Sequence, residues 1–551
     1  MKTNIKVVTV FILFFGLSGF IRSDNDIFFE ISRSIDIFGK VYKEVTLNYV
    51  DDINPSDFML SGIKGMLSSL DPYTNYIDES LKKDIDLMTK GKYGGIGASV
   101  GIRNDKVTII DLIEGYSAQR QGLRIGDVIK EINGTYISKQ NYEDLSDYLK
   151  GDPGKVVKII IERDGIDEDL VFDLVLEEVQ VKNLTYYGFI PQNSNNIYLK
   201  LSSFSRSAGD EIKRAILELN KEKEIHSIIL DLRGNPGGLL DQAIDVAEKF
   251  LNRDQLIVSV MGKDTTRVTR YYAKEEPVGG NSKLVVLVNG HSASASEIVA
   301  GAIQDHDRGV IVGEQSFGKG LVQTLIPLSY NTSLKITTAR YYTPSGRCIQ
   351  KIDYSDESKI IKHFSSDSTK EFITDNRRKV FAAGGIEPDT VMSNDSDSKQ
   401  VERLLARGMF FRFATYFYNT HQNMSMDDFD DDEYFNGFIK YLSNQQFEYS
   451  SKAEKLIQDL KSLTENESYL EELKDDINEL MKKSESLKVV ELKKYKSDVV
   501  ANIREEIASR ISGKDGRIAE SLKNDKQYKL ALSVLGQDKI YSTLLALETT
   551  K

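Results

Sequence analysis

The sequence predicts an α/β fold with helical regions at both ends, and three observations carry that expectation. Short apolar runs at 197–201, 228–232, 256–260, 284–288, 310–313 and 334–338 alternate with stretches of helical periodicity, the pattern of a strand-and-helix core. Ahead of them, between Ile85 and Glu178, glycine turns punctuate further strand-like runs. Behind them, no proline follows Pro388, and the remaining chain is rich in Leu, Lys, Glu and Asp at helical spacing, as in 470–507.

At 551 residues the chain exceeds what one core supports, so several domains are expected, with boundaries at 1–23, 24–84, 85–178, 179–393 and 394–551. The net charge of −12 argues against nonspecific nucleic-acid binding and leaves no basic tract for an anionic membrane surface. At the N-terminus, Lys2 and Lys6 precede an apolar run from Val7 to Ile21, and Arg22, Asp24 and Asp26 then restore polarity. That is the layout of a secretory signal, short for a transmembrane helix. Export is therefore expected, to the periplasm in a cell with two membranes, with cleavage near Ser23 or retention as an inner-membrane anchor. A single cysteine, Cys348, excludes an intramolecular disulfide. Residues 24–84 read as short helices.

In the next segment, Tyr93-Gly94-Gly95-Ile96-Gly97-Ala98 precedes a strand-like run at 107–113, then Ser117-Ala118-Gln119-Arg120-Gln121-Gly122-Leu123 and Ile132-Asn133-Gly134, with strands at 156–161 and 170–176 closing the unit. The order resembles a PDZ domain of the bacterial protease type. Such domains add a peptide as an extra strand and hold its terminal carboxylate in backbone N–H groups. On that resemblance Gly95, Ile96 and Gly97 form the carboxylate loop. The glycines do not make a dinucleotide loop, since the spacing is not G-x-G-x-x-G and no βαβ unit surrounds it.

Two turns in the core carry the chemistry. The first, Arg233-Gly234-Asn235-Pro236-Gly237-Gly238, lies between a buried strand at 227–232 and a helix from Leu239 to Leu251. A plain glycine turn, an anion-binding loop and an oxyanion hole all fit it. The second follows the strand 284–288, where Ser294-Ala295-Ser296-Glu297 fits the S-x-x-E capping box and Ile298, Val299, Ala302 and Ile303 continue at helical spacing. A serine at such a turn is exposed beside a helix N-terminus, whose free N–H groups and partial positive charge suit a developing oxyanion. Its hydroxyl needs a base. Lys319 stands between Gly318 and Gly320, where few neighbours would solvate its ammonium, and desolvation lowers a lysine pKa towards roughly 7 to 8. Gln323 is placed to orient that amine. Taken singly, Ser294 is a helix cap, Lys319 a solvated turn lysine and Gln323 uninformative. His291 and His306 lie near the serine but have no acidic orienter at a recognisable spacing, so a Ser-His-Asp triad is not expected.

Together these segments resemble the C-terminal processing peptidases, also called tail-specific proteases, whose S-A-S-A-S-E and F-G-K-G-x-x-Q motifs carry a Ser-Lys pair. The resemblance implies Ser294 as nucleophile, Lys319 as general base and Gln323 as the residue that positions it. It also implies an oxyanion hole from the N–H of Ala295 and of Gly237 or Gly238. Further marks are Leu70-Asp71-Pro72-Tyr73-Thr74, Thr337 to Gly346 and Gly384 to Asp389, the first departing from the commoner D-P-H-S form. The implied fold is a crotonase-like αββ spiral protease core joined to a barrel-like PDZ domain. The implied activity is serine endopeptidase cleavage of proteins with accessible C-terminal tails, without metal or organic cofactor. A silent tail-binding adaptor and an acyl-CoA enzyme are the other readings. An adaptor protein and self-association stay open as partnerships. The acidic run 427–433 lacks the spacing of a calcium loop and reads as a solvated loop.

Overall fold

The computed structural model describes residues 24–78, 91–142, 144–354, 362–363, 370–382, 384–393, 398–421, 424–444, 452–466 and 472–545. The apolar run 7–21 expected as a signal lies outside them. The fold is mixed α/β and divides into two compact units, 1–78 with 323–337 and 79–322 with 338–551. Among the described residues no helix is long and apolar enough to cross a membrane.

In the first unit two helices, Asp24–Asn48 and Pro55–Leu67, precede a short strand, Asn75–Ile77. Asn54 caps the second helix through its side chain, 2.9 Å from the Ser56 N–H, with Pro55 at the first turn where its missing donor costs nothing. Tyr42 and Phe58 stack at 5.7 Å to join the helices. The strand pairs antiparallel with Ser333 to Lys335. The turn before it is closed by Asp71, whose carboxylate accepts the Tyr73 and Thr74 N–H groups at 2.8 and 2.9 Å.

In the second unit, a sheet begins at Ala98–Arg103 and runs through Lys106–Leu112, Val128–Ile132 and Val156–Glu162 to Leu170–Val175. Its inward residues, among them Ile109, Ile129, Ile132, Ile159 and Leu174, form a core of their own with Leu145 and Leu149.

A second six-stranded sheet has its strands in chain order: β1 (Leu184–Phe189), β2 (Asn196–Leu201), β3 (Ser227–Asp231), β4 (Lys283–Val288), β5 (Val310–Gly313) and β6 (Thr390–Val391). Only β1 and β2 are antiparallel. A parallel sheet has to be covered on both faces, which explains why β3, β4 and β5 are near-continuous apolar runs. One face packs Ile228, Leu230, Leu284 and Val286 against local helices, including Ala208–Glu222 and α1 (Ala295–Asp305). The other packs Ile229, Val285, Leu287 and Val312 against Leu522, Tyr528, Ala531 and Val534, which come from the chain's far end. Those residues belong to α2 (Lys496–Leu522) and α3 (Lys526–Gly536).

The C-terminal region is helical as expected, with its own core of Phe410, Phe413, Phe438, Val499 and Ile503. Two details sharpen the sequence reading. The apolar spacing over 470–507 belongs to two helices, Lys474–Lys494 and α2, and α2 itself is kinked at Ser512 and Gly513. The acidic run 427–433 is solvated as expected, its carboxylates exposed, but its second half starts a helix and is not a loop. Asp430 accepts the Asp432 and Glu433 N–H groups at 2.8 and 3.0 Å, and Asp431, Asp432 and Glu433 fill the first turn of the helix Asp431–Asn444. Carboxylates there satisfy free donors and oppose the helix dipole, a favourable use of charge that the composition of the run conceals.

Candidate active site

Register brings the two turns together. β3 and β4 are paired in parallel, Asp231 opposite Leu287, so the segments leaving their C-terminal ends emerge side by side. That end of a parallel sheet is where α/β proteins place ligands. The turns are stitched by Gly234 N–H to Asn289 Oδ1 at 3.0 Å, Ala293 N–H to the Asn235 carbonyl at 3.1 Å and Ser296 Oγ to that same carbonyl at 2.9 Å. Gly237 sits so close that a Cβ there would lie 2.9 Å from both Ala295 N and Ser294 Cβ, and its φ of +103° already excludes an ordinary side chain.

Ser294 stands at the head of α1 with φ 55° and ψ −111°, outside the ordinary regions for a residue with a Cβ. Such strain, of order 1 to 3 kcal/mol, persists only where the surroundings impose it. Two side chains impose it here. Glu297, fully buried, accepts the Ser294 N–H on Oε2 at 2.8 Å. The same oxygen accepts the Lys319 N–H at 2.9 Å, while Oε1 accepts Ser316 Oγ at 2.5 Å and the Gly318 N–H at 2.7 Å. Tyr341 Oη reaches the Ser294 carbonyl at 3.1 Å and also donates to the Lys319 carbonyl. The backbones of Ser294 and Lys319 are thus fastened by the same two groups. Burial pushes the Glu297 carboxyl up to about 7, and its four donors only partly oppose that.

The N–H groups expected to hold an oxyanion differ in availability. The Gly237 N–H is taken by Asn235 Oδ1 at 2.9 Å, whereas among the described residues the Ala295 and Gly238 N–H groups find no acceptor. The glycine turn is anchored from behind by Asp231, which is wholly buried, accepts Arg233 Nε at 3.0 Å and Tyr198 Oη at 2.5 Å, and pairs with the Lys200 ammonium at 3.0 Å.

Gln323 lies on the strand Leu321–Pro327, half-buried, with its amide 3.4 Å from Thr337 Oγ1. His306 has an acidic partner after all, Asp375 at 2.7 Å from Nδ1, and its Nε2 meets the Leu256 carbonyl at 2.7 Å. It sits past the opposite end of α1 from Ser294, about 18 Å away at the rise of a helix, so it does not serve that hydroxyl. His291 is exposed. Between the strands Lys92–Gly95 and Ala98–Arg103, Ile96 is buried, and the Ile96 and Gly97 carbonyls accept the Ala118 and Ile113 N–H groups at 2.9 and 2.8 Å. On the edge strand that follows, the Val100 carbonyl accepts the Tyr142 hydroxyl at 2.9 Å.

Sequence reasoning missed Tyr341, Asn235, Asn289 and the larger role of Glu297. The last carried a signal, since S-x-x-E named it as a cap. Nothing local could reveal that its second oxygen serves a loop some twenty residues on.

The chain matches the model of peptidase family S41 over residues 196–359, a PDZ domain over 108–163, and the C-terminal helical domain of probable PDZ-proteases over 401–535. A carboxy-terminal-processing protease of Bartonella bacilliformis is 40% identical over 319 residues, covering 57% of this chain and 72% of the relative. The carboxy-terminal processing protease CtpA of Bacillus subtilis is 31% identical over 362 residues, covering 64% and 76%. Among solved structures, a photosystem II D1 C-terminal processing protease aligns over 68% of this chain and 94% of its own at 26% identity, with a TM-score of 0.36.

Proposed function

Because this chain belongs to the carboxy-terminal processing proteases and is a serine-type peptidase with a PDZ domain, we propose that Ser294 is its nucleophile and Lys319 its general base. The observation that carries the pairing is the common fastening of the two backbones by Glu297 Oε2 and Tyr341 Oη. A neutral Lys319 amine takes the Ser294 proton as Oγ attacks the scissile carbonyl. The Ala295 and Gly238 N–H groups hold the tetrahedral oxyanion, with Gly237 supporting the turn through its bond to Asn235. The protonated amine then serves the leaving nitrogen, and water releases the acyl-enzyme. Gln323 is assigned to orienting Lys319 on the family resemblance alone.

The substrates are peptides or proteins. In this reading their C-terminal tails enter the PDZ domain as an added strand beside Ala98–Arg103, the carboxylate resting in the Gly95-Ile96-Gly97 loop. The crotonase-like spiral and the barrel-like form of the PDZ domain belong to the same proposal, as does export to the periplasm, supported by the apolar run 7–21 after Lys2 and Lys6.

The test compares wild type, Ser294→Ala and Lys319→Ala on an unstructured protein ending in a small apolar tail, with cleavage read by mass spectrometry. Both variants are expected to lose turnover by at least about 10³-fold while binding the tail. Cleavage surviving Ser294→Ala overturns the nucleophile. Cleavage surviving Lys319→Ala overturns the base.

A further inference from the structure

The glycine turn is held from outside the peptidase core. Arg233, which opens the turn, points its guanidinium two ways. Nε and Nη2 face Asp231 at the end of its own strand, at 3.0 and 2.7 Å. Nη1 faces Asp525 Oδ2 at 2.6 Å and Gln527 Oε1 at 2.9 Å. Those two residues are nearly three hundred positions along the chain, at the head of α3. Both are buried, Asp525 at 8% and Gln527 at 1% exposure. Each has a second anchor. Asp525 Oδ1 caps α3 through the Tyr528 N–H at 2.9 Å, and Gln527 Nε2 donates to the Met392 carbonyl just past β6 at 2.6 Å. The Arg233 carbonyl is fixed in turn by Lys200 Nζ at 2.9 Å. The buried cluster is balanced, Asp231 and Asp525 against Arg233 and Lys200, so removing one charge strands another.

We propose that the C-terminal helical domain is a working part of the catalytic centre, with Asp525 and Gln527 as positioning residues that hold the Arg233 guanidinium and so the entry to the turn carrying Gly237 and Gly238. The proposal rests on the assignment of that turn to the oxyanion. Arg233 begins the segment whose next residues are bonded to the nucleophile turn, at Gly234 to Asn289 and Asn235 to Ala293. A shift at Arg233 therefore moves the donors relative to Ser294, and a displacement of 1 Å is enough to cost catalysis heavily. The effect is expected on the transition state and not on ground-state binding, because Asp525 and Gln527 are buried and act on the turn only through Arg233.

The decisive variant is Asp525→Asn in the full-length chain, since asparagine keeps the helix cap and removes the charge. The expected result is a fall in kcat of about 10- to 100-fold with KM within about twofold, equivalent to a disturbed hydrogen-bond donor in the transition state. Affinity for a peptide aldehyde, which binds as a tetrahedral adduct, is expected to fall by the same factor, and affinity for an uncleaved tail peptide is expected to hold. Asp525→Glu is expected to recover part of the loss. Gln527→Met is a second variant, expected to lose about 3- to 10-fold in kcat with the same KM split. The proposal is overturned by unchanged kcat in both Asp525→Asn and Gln527→Met. It is equally overturned if activity per folded molecule, measured by thermal unfolding in parallel, is that of wild type. If wild-type cleavage survives Ser294→Ala, the functional reading fails first. If it does not, a null result at Asp525 removes only the clamp.

Discussion

The turns that follow β3 and β4 are each backed by a wholly buried carboxylate, yet the two carboxylates are held in opposite ways. Burial pushes Asp231 up, but the charges of Arg233 and Lys200 outweigh it and hold the group well below the usual carboxylate range. Glu297 accepts as many hydrogen bonds, all from neutral donors, and burial wins, leaving it near 7. At Glu297 the neutral dipoles offset only part of the removal of charge from water, whereas at Asp231 the added cations outweigh it. The glycine turn is consequently fastened by fixed charge, and the Ser294 and Lys319 turns by a group that exchanges its proton near neutrality.

The seam between the turns is the first place to break the comparison. Gly237→Ala would put a methyl group 2.7 Å from the Ala293 carbonyl and 2.9 Å from Ala295 N, at a φ of +103°. Turnover is expected to fall about 10²- to 10³-fold, with about 2 kcal/mol lost from stability. Steady-state kinetics and urea unfolding would measure both, and near-wild-type kcat would mean that the turns are not in contact as described.

Glu297→Gln comes next. An amide can accept on one side only, so one pair of donors, either those of Ser294 and Lys319 or those of Ser316 and Gly318, is left buried without an acceptor. At about 1 to 3 kcal/mol for a stranded donor, kcat/KM is expected to fall roughly 10- to 100-fold. Full activity in this variant would make Glu297 a helix cap and nothing more.

The same residue sharpens the comparison through pH. Its folded value, about 7, lies above the ordinary 4.5, so the folded state binds its proton more tightly. That contribution to stability is fully present below about 4.5 and is lost as pH rises through about 7. Wild type minus Glu297→Gln, in unfolding free energy, is expected to decline across that window and level off above it. A flat difference would show that the carboxyl is ionised throughout. Asp231, with the opposite shift, loses its contribution only in strong acid, as pH falls through its depressed pKa.

Smaller effects are expected at the edges of the site. Tyr341→Phe removes one hydroxyl shared by two carbonyls and is expected to lower kcat about 2- to 10-fold. His306→Ala is expected to leave kcat within about twofold, because the ring bridges Asp375 and the Leu256 carbonyl far from Ser294. A large kcat loss there, with stability intact, would reopen a histidine base.

Legibility followed chain distance. The strands at 227–231 and 283–288, the helix begun at Ser294 and the glycine turn were readable because each depends on neighbours within a few residues: apolar runs, a capping box, Gly and Pro punctuation. Tyr341 was not, because its hydroxyl joins carbonyls at 294 and 319, and no local pattern encodes such a meeting. The acidic run at 427–433 was half legible for a related reason. Its charges are solvated as they look, but the helix they start, and the Lys496 and Arg504 side chains that face Asp432 and Asp431, come only with the structure.

What the sequence by itself determined was the chemistry on offer: a serine at a helix head, a lysine between glycines and a glycine-rich turn after a buried strand, each fixed by backbone preferences that act within a turn or two. Only the tertiary structure decided which of these groups share an anchor. It gave Glu297 two loops to hold, committed the Gly237 N–H to Asn235 while that of Gly238 has no acceptor among the described residues, and brought Asp525 from the far end of the chain onto Arg233. The physical reason is that hydrogen bonds and ion pairs act over about 3 Å in space and are indifferent to separation along the chain, so their partners exist only once the sheet has set its register.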